Sequence, residues 1–104
     1  NQRIDLSELP QDSELLYRTI NSSDIEPRSF INLNNLELLI NKVIKVSSDE
    51  VEPNELDSKI GVINKKLYLK TDEGLLEILE IQPKDGKLMR ATDFINGYLN
   101  NRSK

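Results

Sequence analysis

Residues 59–82, KIGVINKKLYLKTDEGLLEILEIQ, contain three apolar runs separated by two short polar segments. The runs are rich in the Ile, Leu, Val and Tyr side chains that favour extended strands, and they lie at 59–63, 67–71 and 75–82. Asn64-Lys65 and Asp72-Glu73-Gly74 separate them, and Gly74 can adopt the positive φ that a hairpin needs. The stretch therefore predicts three consecutive antiparallel strands, and it decides the fold class.

The segment before this stretch predicts another hairpin. Strands at 28–33 and 36–46 flank Asn34-Asn35, a dipeptide that tolerates left-handed backbone in a tight turn. In the second strand Leu38 and Ile40 lie on one face, whereas Val43 falls on the opposite one. That break in the alternation predicts a β-bulge, or a strand that is buried on both sides.

One helix is predicted near each end of the chain. Asp12 and Ser13 offer capping side chains to a helix over 14–21, whose inward face consists of Leu15, Leu16, Thr19 and Ile20. Thr92 is predicted to cap a second helix over 93–100, whose inward face consists of Phe94, Ile95, Tyr98 and Leu99. Gly97 costs up to about 1 kcal/mol relative to Ala inside a helix, which predicts close packing at that position.

These elements predict a mainly β (α+β) fold with five or six strands and one helix near each end. Successive hairpins that leave few free edges favour a small barrel or a rolled sheet. The polar residues 1–10, which end at Pro10, predict a connector. Residues 11–104 are predicted to form the barrel domain.

The composition argues against independent catalysis. The 104 residues include neither His nor Cys, which excludes imidazole bases, thiol nucleophiles and the common zinc ligands. The four glycines are isolated, so the sequence has no phosphate-binding loop. We therefore expect no catalytic, cofactor-binding or metal-binding residue in this chain. No apolar run approaches the roughly 18 residues that a bilayer crossing needs, so no membrane partner is expected.

Charge is distributed unevenly along this chain of net charge −4. Residues 1–57 carry 5 basic and 12 acidic side chains, a balance of −7, whereas residues 58–104 carry 9 basic and 6 acidic ones, a balance of +3. Such asymmetry can create a basic face on an acidic protein. Tyr68, which alternates with Lys70 on its strand, could stack on a base, although a Tyr in a strand is more often half-buried in packing contacts. The cations that could contact phosphates are Lys65, Lys66, Lys70, Lys84, Lys87 and Arg90.

Three short motifs follow one another towards the end of the chain: LLEILEIQP at 75–83, GKLM at 86–89 and DFING at 93–97. In this order they resemble the closing signature of the methionyl-tRNA formyltransferases. Residues 3–6, RIDL, resemble the entry to the same domain in that family. The chain is therefore similar, over nearly its whole length, to the C-terminal domain of the methionyl-tRNA formyltransferases.

This resemblance implies a role in translation initiation in the cytoplasm. The parent enzyme would transfer a formyl group from 10-formyltetrahydrofolate to the amino group of initiator methionyl-tRNA. Catalysis and folate binding would belong to an N-terminal Rossmann-like domain of the same chain, and residues 1–10 would be the connector from this missing N-terminal domain. The resemblance also implies that residues 11–104 form a small open β-barrel similar to an OB-fold, which would hold the tRNA beside its acceptor stem. The tRNA-binding residues that the resemblance and the charge pattern together predict are Arg3, Lys65, Lys66, Lys70, Lys87 and Arg90.

Two alternatives remain open at the level of the sequence. The same barrel could be the scaffold of a formyltransferase that acts on a nucleotide-linked amino sugar. The acidic stretch at 49–57 and the absence of any Trp favour that alternative, because the methionyl-tRNA enzymes usually carry a Trp motif after the first helix. The other alternative is a free-standing interaction module with no enzyme attached. The positive balance of residues 58–104 favours tRNA.

Overall fold

The computed structural model of the protein describes residues 4–21, 29–33, 35–46, 56 and 58–99. Its strands are β1 (Ile4–Asp5), β2 (Ser29–Leu33), β3 (Leu36–Lys45), β4 (Ile60–Ile63), β5 (Lys66–Thr71), β6 (Gly74–Pro83) and β7 (Met89–Arg90). Its helical segments are a 3-10 turn (Leu6–Glu8), α1 (Ser13–Asn21), α2 (Ala91–Phe94) and a π-helical turn (Ile95–Leu99) that continues α2.

The central three-strand stretch folds as predicted. Asn64 and Lys65 have φ angles of 52° and 66°, which form the tight turn between β4 and β5, and Gly74 has a φ of 133° after β5. Thr71 Oγ1 supports the second turn, because it donates to the Gly74 carbonyl at 2.9 Å and accepts from the Glu73 amide at 3.2 Å. Local turn chemistry thus sets the register of β4, β5 and β6.

β3 and β6 are the two longest strands, and the alternation of inward and outward side chains is broken at the same place in both. Ile40 pairs with Ile81, Val43 pairs with Ile78, and all four side chains are buried. Between these two pairs the register shifts on either side of Lys42. Two residues, rather than one, therefore separate successive inward side chains on each strand. The predicted irregularity is confirmed, and because both strands share it the sheet can bend sharply here.

The strands form one sheet in the order β1-β2-β3-β6-β5-β4, and β7 pairs with β6 outside this path. β1 runs parallel to β2, and every other pair is antiparallel. The sheet curls until β2 and β4 approach each other, but no strand pairing joins them in the described part of the chain. The predicted mainly β fold and small open barrel are therefore confirmed.

The apolar side chains lie in two clusters on opposite faces of the sheet. The larger cluster fills the barrel with residues from α1, α2 and most strands, among them Leu67 and Leu69 of β5. The smaller one lies on the outer face and consists of Leu56, Ile63, Tyr68 and Leu75. A Cβ atom on Gly61 would lie 2.7 Å from Leu56 Cδ2. Gly61 therefore leaves the space in which Leu56 covers the outer face.

The predicted N-terminal helix is confirmed as α1. Asp12 caps it, because its Oδ1 accepts from the Leu15 amide at 2.9 Å. Leu16 and Ile20 are buried as predicted, but Leu15 is 39% exposed. The prediction for Leu15 is wrong because the barrel covers a narrow stripe of this short helix, and Leu15 lies at its margin.

The residues before α1 pack onto the barrel. Ile4 and Asp5 pair with Ser29 and Phe30 of β2, and the Leu6 side chain is buried in the core. The described part of the predicted connector thus contributes to the fold, while the division of the chain at residue 10 stays a prediction. The acidic stretch at 49–55 lies outside the described residues.

The C-terminal helix begins earlier than predicted. Its N-cap is Arg90, with no side-chain cap, and Thr92 lies exposed inside the first turn. The prediction of a Thr92 cap is wrong because β7 ends at Arg90 and the helix follows it directly. Phe94 and Ile95 are buried as predicted. Nothing lies within 4 Å of a Cβ placed on the exposed Gly97, so close packing does not explain this glycine.

Two predictions at the C-terminal end stay untested. The side chains of Tyr98 and Leu99 lie outside the described part of the structure.

Within the described ranges, the helices are too short and too polar to cross a bilayer. The predicted cytoplasmic location stays a prediction.

Candidate nucleic-acid interface

One edge of β6 brings several of the predicted cations together. β3 occupies the other edge along almost the whole strand. β5 and β7 pair with the remaining edge of β6, one after the other along its length. The first pair of β5 is Leu67 with Ile78, and the last residue of β7, Arg90, pairs with Glu80. Because Lys66 directly precedes Leu67, it lies next to Arg90 along this edge.

We call Lys65, Lys66, Lys87 and Arg90 the basic edge. All four are exposed. Lys65 belongs to the turn that starts β5, and Lys87 lies three residues before Arg90, which limits the distance between their Cα atoms to about 11 Å. The four residues come from two strands, a turn and a loop, and the pairing of β6 with β5 and β7 gathers them.

Hydrogen bonds hold the loop that carries Lys87. Gln82 Nε2 donates to the Gly86 carbonyl at 3.3 Å, and the Gly86 amide donates to the Pro83 carbonyl at 2.8 Å. Asp85 adopts a φ of 64°, a left-handed conformation that Asp tolerates. The loop therefore has a defined turn, and Lys87 extends from it into solvent.

One predicted site residue lies away from the basic edge, and another lies outside the described part of the structure. Lys70 lies at the opposite end of β5 and is partly buried, and its Nζ donates to the Leu56 carbonyl at 3.2 Å. That bond helps to hold Leu56 over the outer face of the sheet. Arg3 lies outside the described residues. The predicted role of both residues in tRNA binding stays untested.

Tyr68 is not available to stack on a base. Its side chain is 3% exposed and packs in the outer cluster with Leu56, Ile63 and Leu75. The interpretation of Tyr68 as a stacking residue is therefore wrong, and the alternative, a strand Tyr used for packing, is confirmed.

Lys42 joins the candidate interface although the sequence did not predict it. It pairs with Glu80 on β6, and Glu80 in turn pairs with Arg90 on β7. A cleft of about 340 Å³ lies over these three residues. The broken alternation at Val43 indicated an irregular strand, but only the observed register shift shows that Lys42 faces outward beside β6.

Lys45, the next cation along β3, forms an ion pair with Glu14 of α1. Lys45 Nζ donates to Glu14 Oε1 at 2.5 Å and lies 5.1 Å from the centre of the Tyr17 ring. Arg18 Nε lies 3.5 Å from the second Glu14 oxygen. The hydrogen bond from Lys45 lowers the pKa of Glu14, and the same bond raises the pKa of Lys45. Lys45 is thus bound within the protein, whereas Lys42 is exposed over the cleft.

The geometry defines the class of protein as a small open barrel with a charged outer surface. Among the described residues, no group of three acidic side chains is placed to hold a metal ion. The sequence model of one family, described as Formyl transferase, C-terminal domain, matches residues 2–99. The chain therefore belongs to this family, and the prediction from the sequence motifs of a formyltransferase C-terminal domain is confirmed. Comparison with curated proteins found no significant match.

Proposed function

We propose that this chain is the tRNA-positioning domain of a methionyl-tRNA formyltransferase, which acts in translation initiation. A preceding Rossmann-like domain would bind 10-formyltetrahydrofolate and transfer its formyl group to the amino group of methionyl-tRNA. The barrel would supply no catalytic group. It would hold the tRNA so that the aminoacyl end reaches the preceding domain.

The basic edge is the observation that carries this proposal. Lys65, Lys66, Lys87 and Arg90 are exposed and follow one strand edge on a chain whose net charge is −4. Flexible exposed cations suit the sugar–phosphate backbone, which is contacted without base recognition. The acidic remainder of the chain would repel an RNA that approached from another direction, and so favour this edge.

A second candidate function is the scaffold of a formyltransferase that acts on a nucleotide-linked amino sugar. Lys70 and Tyr68 were two candidates for a nucleic-acid surface, but Lys70 Nζ donates to the Leu56 carbonyl and Tyr68 packs in the outer cluster. Residues 1–57 also carry a balance of −7, from 5 basic and 12 acidic side chains. Both observations favour a domain that touches no polyanion.

Binding of methionyl-tRNA across a series of salt concentrations separates the two functions. We expect Lys66→Ala and Lys87→Ala each to weaken binding and to reduce the slope of log affinity against log salt by about 0.9, the loss of one phosphate contact. Lys45→Ala is the matched control, since it removes an exposed Lys whose ammonium already bonds Glu14. Unchanged affinity in both edge variants would favour the scaffold.

A further inference from the structure

We infer that the outer face of β6 binds a ribose–phosphate unit, and that this site gives the protein a preference for RNA over DNA. The inference rests on the proposed function, because it describes how the same surface would recognise the RNA that it holds. The site combines Lys42, Glu77, Glu80 and Arg90, of which the sequence analysis had singled out Arg90 alone.

A row of three charged residues crosses the sheet at this point. Lys42 on β3, Glu80 on β6 and Arg90 on β7 are directly paired, so their side chains leave the same face. The two cations are separated by two strand spacings, about 9.6 Å at the backbone. Lys and Arg side chains are long enough to converge on one phosphate from that separation.

Both cations are available to a ligand. Within the described residues, neither Lys42 nor Arg90 forms an ion pair, and the ion pairs that are present join Glu14 to Arg18 and Lys45. Glu80 is held elsewhere, because Asn41 Nδ2 donates to its Oε1 at 2.7 Å. The carboxylate between the two cations therefore has a partner of its own.

The cleft above this row has the size of a small-ligand site. Its volume is about 340 Å³, and sites for small ligands span roughly 300–1,000 Å³. It is lined by Lys42, Glu77, Leu79, Glu80, Arg90 and Thr92. The cleft is open to solvent, as a site for one unit of a continuing polymer must be.

The mixture of charges selects for ribose as well as for phosphate. Two cations alone would bind any phosphate, whereas Glu77 repels a phosphate unless the ligand compensates with a hydrogen bond. The ribose 2′-hydroxyl can donate to a carboxylate, and DNA lacks it. No described residue forms an ion pair with Glu77. RNA should therefore bind in preference to DNA, and loss of Glu77 should remove that preference.

The test compares a uridine hexanucleotide, its 2′-deoxy counterpart and uridine monophosphate in NMR titrations of the 104-residue chain. We expect the ribose hexanucleotide to shift the Lys42, Glu77 and Arg90 signals and to bind more tightly than the deoxy form. Lys42→Ala should weaken its binding by roughly two- to fivefold, as expected for the loss of one exposed ion pair. Lys45→Ala should leave binding unchanged, and Glu77→Ala should bring the two hexanucleotides to equal affinity.

Several outcomes would overturn the inference and leave the proposed function standing. Lys42→Ala could behave like Lys45→Ala while Lys66→Ala still weakens tRNA binding, or the wild type could bind both hexanucleotides equally. Shifts caused by uridine monophosphate, with none from the hexanucleotide, would assign the cleft to a free nucleotide instead. If Lys66→Ala and Lys87→Ala leave tRNA binding unchanged, the proposed function fails and this inference fails with it.

Discussion

The last residue of α1, Asn21, completes a hydrogen-bonding edge of β3. Its Nδ2 donates to the Val43 carbonyl at 3.0 Å, and its Oδ1 accepts from the Val43 amide at 3.1 Å. Among the described residues, β2 pairs with β3 as far as Ile40, and β3 continues to Lys45. The side chain of Asn21 bonds the β3 backbone at Val43 as a strand residue would, and it joins the end of α1 to the barrel.

Replacement of Asn21 therefore tests how much this single contact stabilises the fold. We expect Asn21→Ala to lower the free energy of unfolding by about 1–3 kcal/mol, because two hydrogen bonds to the backbone of the buried Val43 are lost. Urea denaturation measures the change. Asn32→Ala, at an exposed position of β2, is the control and should stay within about 0.5 kcal/mol of the wild type. Equal effects of the two substitutions would contradict this account of Asn21.

Single residues also show where sequence reasoning ends. Asn64 and Lys65 could be placed in a tight turn because turn chemistry is local, and their positive φ angles follow from it. The burial of Tyr68 depends on Leu56, which belongs to a different segment of the chain. The sequence around Tyr68 therefore cannot predict that its side chain is covered. Lys42 likewise gained its place in the interface from strand pairing between distant parts of the chain.

At the scale of elements, α1 is fastened to the sheet at both ends. At its start, the Ser13 amide donates to Asp72 Oδ1 at 3.2 Å, and the Asp72 amide donates to the Gln11 carbonyl at 2.6 Å. The Gln11 side chain also donates to the Lys70 carbonyl. At its end, Asn21 bonds β3. The turn between β5 and β6 thus helps to supply the N-terminal hydrogen-bond partners that a short helix needs.

The ion pair between α1 and β3 makes part of this attachment depend on pH. Because the pKa of Glu14 is lowered in the folded protein, the stabilisation that the ion pair gives is present above the ordinary pKa of a Glu. This stabilisation is lost as the pH falls through the lowered pKa. The raised pKa of Lys45 means that the contribution is lost again as alkaline pH rises through that raised value.

A carbon-13 NMR titration of the Glu14 carboxyl tests this pair directly. We expect its pKa to lie below the ordinary value in the wild type and to rise in Lys45→Met, because the substitution removes the hydrogen-bond donor. Lys42→Met is the control, since Lys42 pairs with Glu80 across the sheet and is not among the charges that shift the pKa of Glu14. An identical titration curve in the wild type and in Lys45→Met would refute the assignment.

Elements differ in how much of them the sequence could predict. β4, β5 and β6 follow from alternation and turns, and their bounds shift by one residue or so. β1 could not be predicted, because its parallel pairing with β2 joins residues far apart in the chain. The start of α2 at Ala91 was missed for a similar reason, since pairing of β7 with β6 decides where the extended chain ends.

At the scale of the whole molecule, β6 is the centre of the sheet. β3 covers one of its edges, and β5 and β7 together cover the other. β4, by contrast, is the last strand of the path and pairs with β5 alone among the described strands. The barrel should therefore open from β4 before β6 loses its hydrogen bonds.

Amide hydrogen exchange measures this order of opening. We expect the amides at 76–81 of β6 to exchange at least roughly tenfold more slowly than those of β4, because exchange from a doubly paired strand requires wider opening of the sheet. The Leu67 and Leu69 amides of β5 should fall between the two groups. Protection of β4 equal to that of β6 would show that the barrel opens as one unit.

The shared break in the alternation of β3 and β6 also constrains how the length of this chain can vary. Ile40 pairs with Ile81 on one side of the irregular step, and Val43 pairs with Ile78 on the other side. A deletion of one residue at this step in β3 would leave one residue between its inward side chains, whereas two residues would still separate Ile78 and Ile81 of β6. The inward pairs on one side of the step would then be out of register. A matching deletion in β6 would restore the inward pairing. Homologous chains that differ in length here should therefore carry compensating changes in both strands.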